Sequence, residues 1–208
     1  MIIKKINLNS LVNFEKDESY LSIVERKPPK GANAFFKDLL DHPLSINITV
    51  SKKSTFTDIK NTLDRILSSN IQKNLFYNLW IKDMSYITEI FSNIIKEPKV
   101  CFSLETLRGC RRYHIDNVPM RLLVTYYGKG TEWLPPSACD YLAYYNGEKN
   151  EKIIKDILKK EFLNNWDIAI FKGKKYEDGE RGILHRTPDA ALEKPSLLMR
   201  LDHPTFIS

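Results

Sequence analysis

At 208 residues, 42% hydrophobic and 28% charged, the chain can build one substantial core without structural staples, and its composition excludes the disordered and fibrous classes. Its net charge of +6 favours anionic partners in general, but charges of both signs are interleaved, as in KGKKYEDGER, so a solvated basic surface is expected rather than a nucleic-acid-binding one. No apolar run is long enough for a bilayer, lysines and acids break up the N-terminal MIIKKINLNSLVNFEKDE, and Cys101, Cys110 and Cys139 form no CxxC pair; the expectation is a cytoplasmic protein with reduced thiols and no membrane partner.

In chain order, 20–26 (YLSIVER) alternates weakly and predicts a strand closed by Pro28-Pro29, and 34–40 predicts a short helix before Pro43. In 44–50 (LSINITV) the apolar residues Leu44, Ile46, Ile48 and Val50 share one parity, the period of a half-buried strand. Thr55 or Thr57 can cap a helix whose stripe is Ile59, Leu63, Ile66 and Leu67. A second helical stretch runs from Ile71 to about Lys96, with Leu75, Leu79, Ile87, Phe91 and Ile94 on one face, and Pro98 ends it. The first 98 residues thus read as a mainly helical support.

From Val100 the period changes to two. Val100, Phe102 and Leu104 alternate with Cys101, Ser103 and Glu105, and 121–127 (RLLVTYY) and 131–134 follow as strands around Gly128 and Gly130. One amphipathic helix is predicted over 150–164, with Ile153, Ile154, Ile157, Leu158 and Phe162 as its stripe. Strands resume at 166–172 (WDIAIFK), 182–186 (GILHR) and 196–202 (SLLMRLD). This pattern predicts an α+β protein with one domain over 1–208, in which 99–208 forms an antiparallel sandwich or jelly-roll barrel carrying an inserted helix.

The chemistry centres on CRRYHIDNVPMRLLVTYYGKGTEWLPP (110–136). In an extended segment, residues two apart leave on one face, so His114 and Asp116 point together while Ile115 packs behind them. His185, 71 residues after His114 (185 minus 114), can add a second imidazole from a neighbouring strand. Two imidazoles and one carboxylate leave coordination positions open and suit non-haem Fe(II), with zinc as the alternative metal. Cys110 shares the parity of His114 and is a candidate fourth ligand, against the commoner reading of a small buried hydrophobe. In 196–202, Leu198, Arg200 and Asp202 share one face and Leu197, Met199 and Leu201 the other. An arginine on such a strand needs an anionic partner, either a bound 2-oxo acid or a protein carboxylate, and Arg121 is a second candidate for the same task. His42 and His203, each in Asp-His-Pro, read as turn residues. Trp133 reads as core or pocket wall, and Arg108, Arg111 and Arg112 as an exposed edge or an attractor of an acidic substrate.

The order HID, WDIAIFKG, GILHRTP and MRLD is similar to the double-stranded β-helix of Fe(II)/2-oxoglutarate-dependent oxygenases. This resemblance covers the second half of the chain. It implies a cupin-like jelly-roll core, His114, Asp116 and His185 as catalytic metal ligands, Arg200 as the anchor of 2-oxoglutarate, and hydroxylation of a substrate that the sequence does not identify. Over most of the chain, the 110–136 segment with FKG and LHRTPD resembles an uncharacterised bacterial family, domain of unknown function 1826. Two other functions stay open: a non-catalytic metal-binding or metal-sensing protein, and a binding module for an anionic partner without a metal.

Overall fold

The computed structural model of the chain describes residues 2–41, 43–177 and 181–205. Among these residues, ten strands form two sheets: β1 (Ile2–Lys5), β2 (Ser19–Val24), β3 (Ser45–Ser51), β4 (Lys99–Glu105), β5 (Met120–Tyr127), β6 (Glu132–Trp133), β7 (Glu161–Phe162), β8 (Ile168–Lys172), β9 (His185–Arg186) and β10 (Leu197–Asp202). The larger sheet has the order β1-β2-β8-β5-β10-β4-β3 and the smaller one β7-β6-β9. All pairings are antiparallel except β1 with β2.

The alternation within each strand decides which side of the large sheet its residues serve. On β5 and β10, Leu122, Val124 and Tyr126 and Leu197, Met199 and Leu201 enter the main core. That core lies under α1 (Ala32–Leu39), α2 (Thr55–Ile66), α3 (Ser69–Lys73) and α4 (Leu75–Ile95). Trp80, Tyr77, Phe35, Phe36 and Tyr126 are fully buried there, and fully burying each apolar side chain of this size contributes about 1.5–3 kcal/mol. The opposite parity, including Leu123, Ala169 and Phe171, packs with Trp133, Leu163 and Ile183 beneath the small sheet. The protein is therefore layered as helices, large sheet and small sheet, and the polar residues of that second face stand between the two sheets.

The first half supplies β1, β2 and β3 to the large sheet as well as its helical cover. The stretch from Ile71 to Lys96 is two helices, because Asn74 interrupts it and caps α4 by accepting from the Phe76 amide at 2.9 Å. The buried stripe of α4 follows Phe76, Trp80, Met84, Ile87, Phe91 and Ile94, leaving Leu75 91% exposed. Helix α2 starts from Ser54 rather than from Thr55 or Thr57 as cap.

The helix expected over 150–164 is absent. Asn150–Ile153 and Ile157–Lys159 are single turns and Glu161–Phe162 pairs as β7. Asp156 stops the helix by accepting from the Leu158 amide at 3.1 Å, and Leu158 is 92% exposed. Trp133 is buried in the second core. His203 sits in a turn, its Nδ1 2.8 Å from Thr205 Oγ1; the matching reading of His42 lies outside the described residues. Among the described residues, no helix is long and apolar enough to cross a membrane.

Candidate metal centre

His114 and His185 meet as an antiparallel bridge, with His114 N donating to His185 O at 3.0 Å and His185 N to His114 O at 3.1 Å. Their rings lie 4.6 Å apart at 50°, and Phe171 packs on the other side of His185 at 4.7 Å. Ile115 turns away into a separate buried cluster, so Asp116 returns to the side of His114. The predicted parity therefore holds, although only His114 is bridged and the segment is not a continuous strand.

Asp116 is held by close packing as well as by hydrogen bonds. Lys174 N donates to Asp116 O at 2.8 Å and Gly173 N to Pro119 O at 2.9 Å. A Cβ on Gly173 would stand 2.2 Å from Val118 O and 2.6 Å from Asp116 O, so only glycine lets this backbone lie so close. Gly182 has a similar part behind Ile115, whose Cγ2 would be 2.4 Å from an added Cβ. Gly173→Ala is expected to destabilise the protein by about 1–3 kcal/mol, the usual range for overpacking, and to weaken metal binding by displacing Asp116. Urea denaturation and Ni(II) calorimetry on the variant check both effects.

Three ligand atoms converge, one each from His114, Asp116 and His185, all within 4.8 Å of one another. His185 Nε2 is 3.1 Å from Asp116 Oδ2, and His114 Nε2 is 3.6 Å from Asp116 Oδ1. Two atoms each about 2.1 Å from one ion at a right angle would stand about 3.0 Å apart, so the spacing suits a first-row divalent metal. Both imidazoles are oriented by backbone carbonyls: His114 Nδ1 donates to Arg112 O and His185 Nδ1 to Ile183 O, each at 3.0 Å. A carbonyl can only accept, so the Nδ1 atoms carry protons and the Nε2 atoms turn towards the carboxylate. Asp116 Oδ2 is buried and meets no hydrogen-bond donor. A buried carboxylate oxygen without a donor, with His185 Nε2 3.1 Å away and His114 Nε2 on the Oδ1 side of the same carboxylate, fits a cation.

Burial pushes the Asp116 carboxyl up, but His185, His114 and Arg121 beside it outweigh that and hold it well below the usual carboxylate range. For His114, burial lowers the pKa, while the hydrogen bond and charge of Asp116 raise it further, so the net shift is above 6.5. In the metal-free protein the resulting stabilisation is complete below about pH 6.5, the unfolded value, and is lost as pH rises through the folded pKa. A metal has to displace that proton. Ni(II) affinity is therefore expected to rise with pH through this window and then level off, with proton release measured by calorimetry in buffers of different ionisation enthalpy.

A cavity of about 60 Å³ adjoins the triad, lined by Arg108, Cys110, His114, Arg121, Leu123, Thr131, His185, Arg186, Thr187, Leu198 and Arg200. Arg200 lines this cavity together with His114 and His185. Arg200 is half-buried, with Nη2 3.2 Å from Ser103 Oγ and Nε 3.2 Å from Asp202 Oδ2. Arg121 is differently placed from the expectation of a free cosubstrate anchor. It donates from Nε and Nη2 to the two oxygens of Asp202 at 2.7 and 2.9 Å, and from Nη1 to Asp116 Oδ1. Arg121 and Asp202 face each other across β5 and β10, so the strand register creates this pair. Its effect is to occupy Oδ1 of Asp116 and leave Oδ2 for the triad. Cys110 lines the cavity and is exposed, but it is outside the group of converging ligand atoms.

The family model described as a protein of unknown function, DUF1826, matches residues 6–202. The chain belongs to that family. Among solved structures it is similar to a Shewanella oneidensis protein, at 10% identity and a TM-score of 0.44, over 100% of this chain and 92% of that one. It is also similar to the Fe(II)/α-ketoglutarate-dependent dioxygenase TqaL, at 8% identity and 0.44, over 93% and 86% of the two chains. A third is HygX from Streptomyces hygroscopicus, solved with nickel and 2-oxoglutarate bound, at 9% and 0.43, over 98% and 89%. No curated protein matches the sequence.

Proposed function

We propose that this protein is a metal-dependent oxidoreductase of the Fe(II)/2-oxoglutarate type, built on a double-stranded β-helix whose two walls are the seven-stranded and three-stranded sheets. The observation that carries the reading is the convergence of His114, Asp116 and His185 beside an arginine-lined cavity. In this reading the three side chains hold the iron, which when bound supplies activation of dioxygen and of a 2-oxo acid. The Arg112 and Ile183 carbonyls keep the imidazole Nε2 atoms directed at it. Arg121 fixes the carboxylate through Oδ1, which leaves coordination positions open for ligands. Arg200 receives the far carboxylate of 2-oxoglutarate, its guanidinium matching the two oxygens. The three free thiols suit a reducing compartment, and we place the protein in the cytoplasm.

The test is anaerobic addition of Fe(II) and then 2-oxoglutarate, followed by visible absorption. A weak charge-transfer band from the chelate is expected, and Arg200→Ala should require much more 2-oxoglutarate to produce it. Tight zinc binding with no response to 2-oxoglutarate would overturn the oxygenase reading in favour of a metal-binding or sensing role.

A further inference from the structure

The triad and Arg200 leave one charged group in the cavity without a role. Of the four arginines lining it, Arg121 is paired with Asp116 and Asp202, Arg186 with Glu132 and Asp189, and Arg200 with Asp202. Arg108 makes no carboxylate ion pair within 4 Å among the described residues, with Glu105 acting on it only at longer range. It donates only to neutral acceptors, from Nη1 to Lys129 O at 3.0 Å and from Nη2 to Thr131 Oγ1 at 2.8 Å, and its buried Nε meets no acceptor. Burial lowers its pKa to about 10, which leaves it charged at neutral pH. Its neighbours in the exposed-edge cluster differ. Arg112 is turned onto the Tyr144 and Glu148 carbonyls, and neither it nor Arg111 lines the cavity.

A desolvated guanidinium without a counter-charge is unfavourable unless a ligand supplies one. The charges around the cavity agree. Asp116, Asp202, Glu132 and Asp189 pair with Arg121, Arg200 and Arg186, and none of these four carboxylates is in an ion pair with Arg108. The unmet donor is on the Nε side of the planar fork, the edge that takes a carboxylate through two parallel hydrogen bonds.

We propose that Arg108 binds a carboxylate of the substrate at the rim of the triad cavity, so that the protein acts on a carboxylate-bearing molecule. This deepens the oxygenase reading and rests on it for the word substrate; the binding itself needs only the arginine and the cavity. Arg200 keeps the cosubstrate, and the two arginines receive two different carboxylates.

The experiment follows the arginine Nε–H resonances of the full-length, metal-free protein by ¹H–¹⁵N NMR while acetate is added, with inorganic phosphate in parallel. Arg108→Lys assigns the Arg108 signal. Acetate is expected to move that signal downfield and to leave Arg121, already held by Asp202, in place. Arg108→Gln should weaken acetate binding by about tenfold or more, the scale of a lost charge-assisted hydrogen bond. Arg112→Gln, outside the cavity, should leave acetate binding unchanged, and the absence of metal separates this proposal from the metal reading. An Arg108 signal that ignores acetate overturns the proposal even if Fe(II) and 2-oxoglutarate form their chelate. A signal that answers only to phosphate overturns the carboxylate assignment. One that moves with 2-oxoglutarate in the Ni(II)-loaded protein and then ignores acetate makes Arg108 part of the cosubstrate site and equally overturns it.

Discussion

Arg121→Met is expected to destabilise the metal-free protein by about 3–5 kcal/mol, the range seen when one partner of a buried ion pair is removed. Arg121 lies between two carboxylates that are almost wholly buried, taking both oxygens of Asp202 and Oδ1 of Asp116. Methionine would roughly conserve the volume and leave two desolvated negative charges without their shared cation. Arg200, 3.2 Å from Asp202, still reaches one of them and tempers the loss. Urea denaturation measures the effect as a lower midpoint at unchanged slope. Arg121→Met combined with Asp202→Asn should recover part of the lost stability, because the second change removes one of the stranded charges. A single-variant loss below about 1 kcal/mol, the level of an exposed pair, would mean that the cluster is not the electrostatic support of the site.

His185→Ala is expected to reduce Ni(II) or Fe(II) affinity by more than the roughly 10–100-fold associated with losing a hydrogen bond to a ligand, because it deletes a ligand atom. His185 is buried, stacked between His114 and Phe171, and closest to the free oxygen of Asp116. Its imidazole also shields part of the second core, so some stability should go with it. Calorimetric titration on the folded variant separates the two effects. Arg112→Gln is the control: that guanidinium holds loop carbonyls, and its backbone carbonyl, the one that orients His114, survives the change.

The facing of His114, Asp116 and Arg200 was legible in the sequence because it depends on alternation, whereas His185 was read from its place on a later strand. His114 and Asp116 share a parity that Ile115 confirms by packing behind them, and Arg200 stands opposite Leu197, Met199 and Leu201 on a strand whose other face is plainly apolar. Alternation says which way a side chain points but not what stands opposite it. The pairing of Arg121 with Asp202 spans 81 residues and follows from register between β5 and β10, so the sequence named Arg121 as a second candidate anchor without showing this ion pair. Asp202 was visible as a second charge on the face of Arg200, but alternation does not show that it also reaches Arg121. Gly173 carried no signal beyond being a glycine after a strand, since its reason is the backbone of Asp116 and Val118 lying against it. The apolar spacing of 150–164 imitates a helix, yet Asp156 breaks it and Leu158 faces solvent. The parallel entry of β1 beside β2 and the joining of β3 to β4 are long-range pairings that local periodicity does not encode.

The most direct measurement is X-ray absorption on the protein loaded anaerobically with one equivalent of Fe(II). The predicted spectrum has only nitrogen and oxygen in its inner shell, including two imidazoles from His114 and His185 and one carboxylate from Asp116. Failure to take up one equivalent, a sulfur scatterer at about 2.3 Å from Cys110, or an inner shell unchanged by His185→Ala would contradict it.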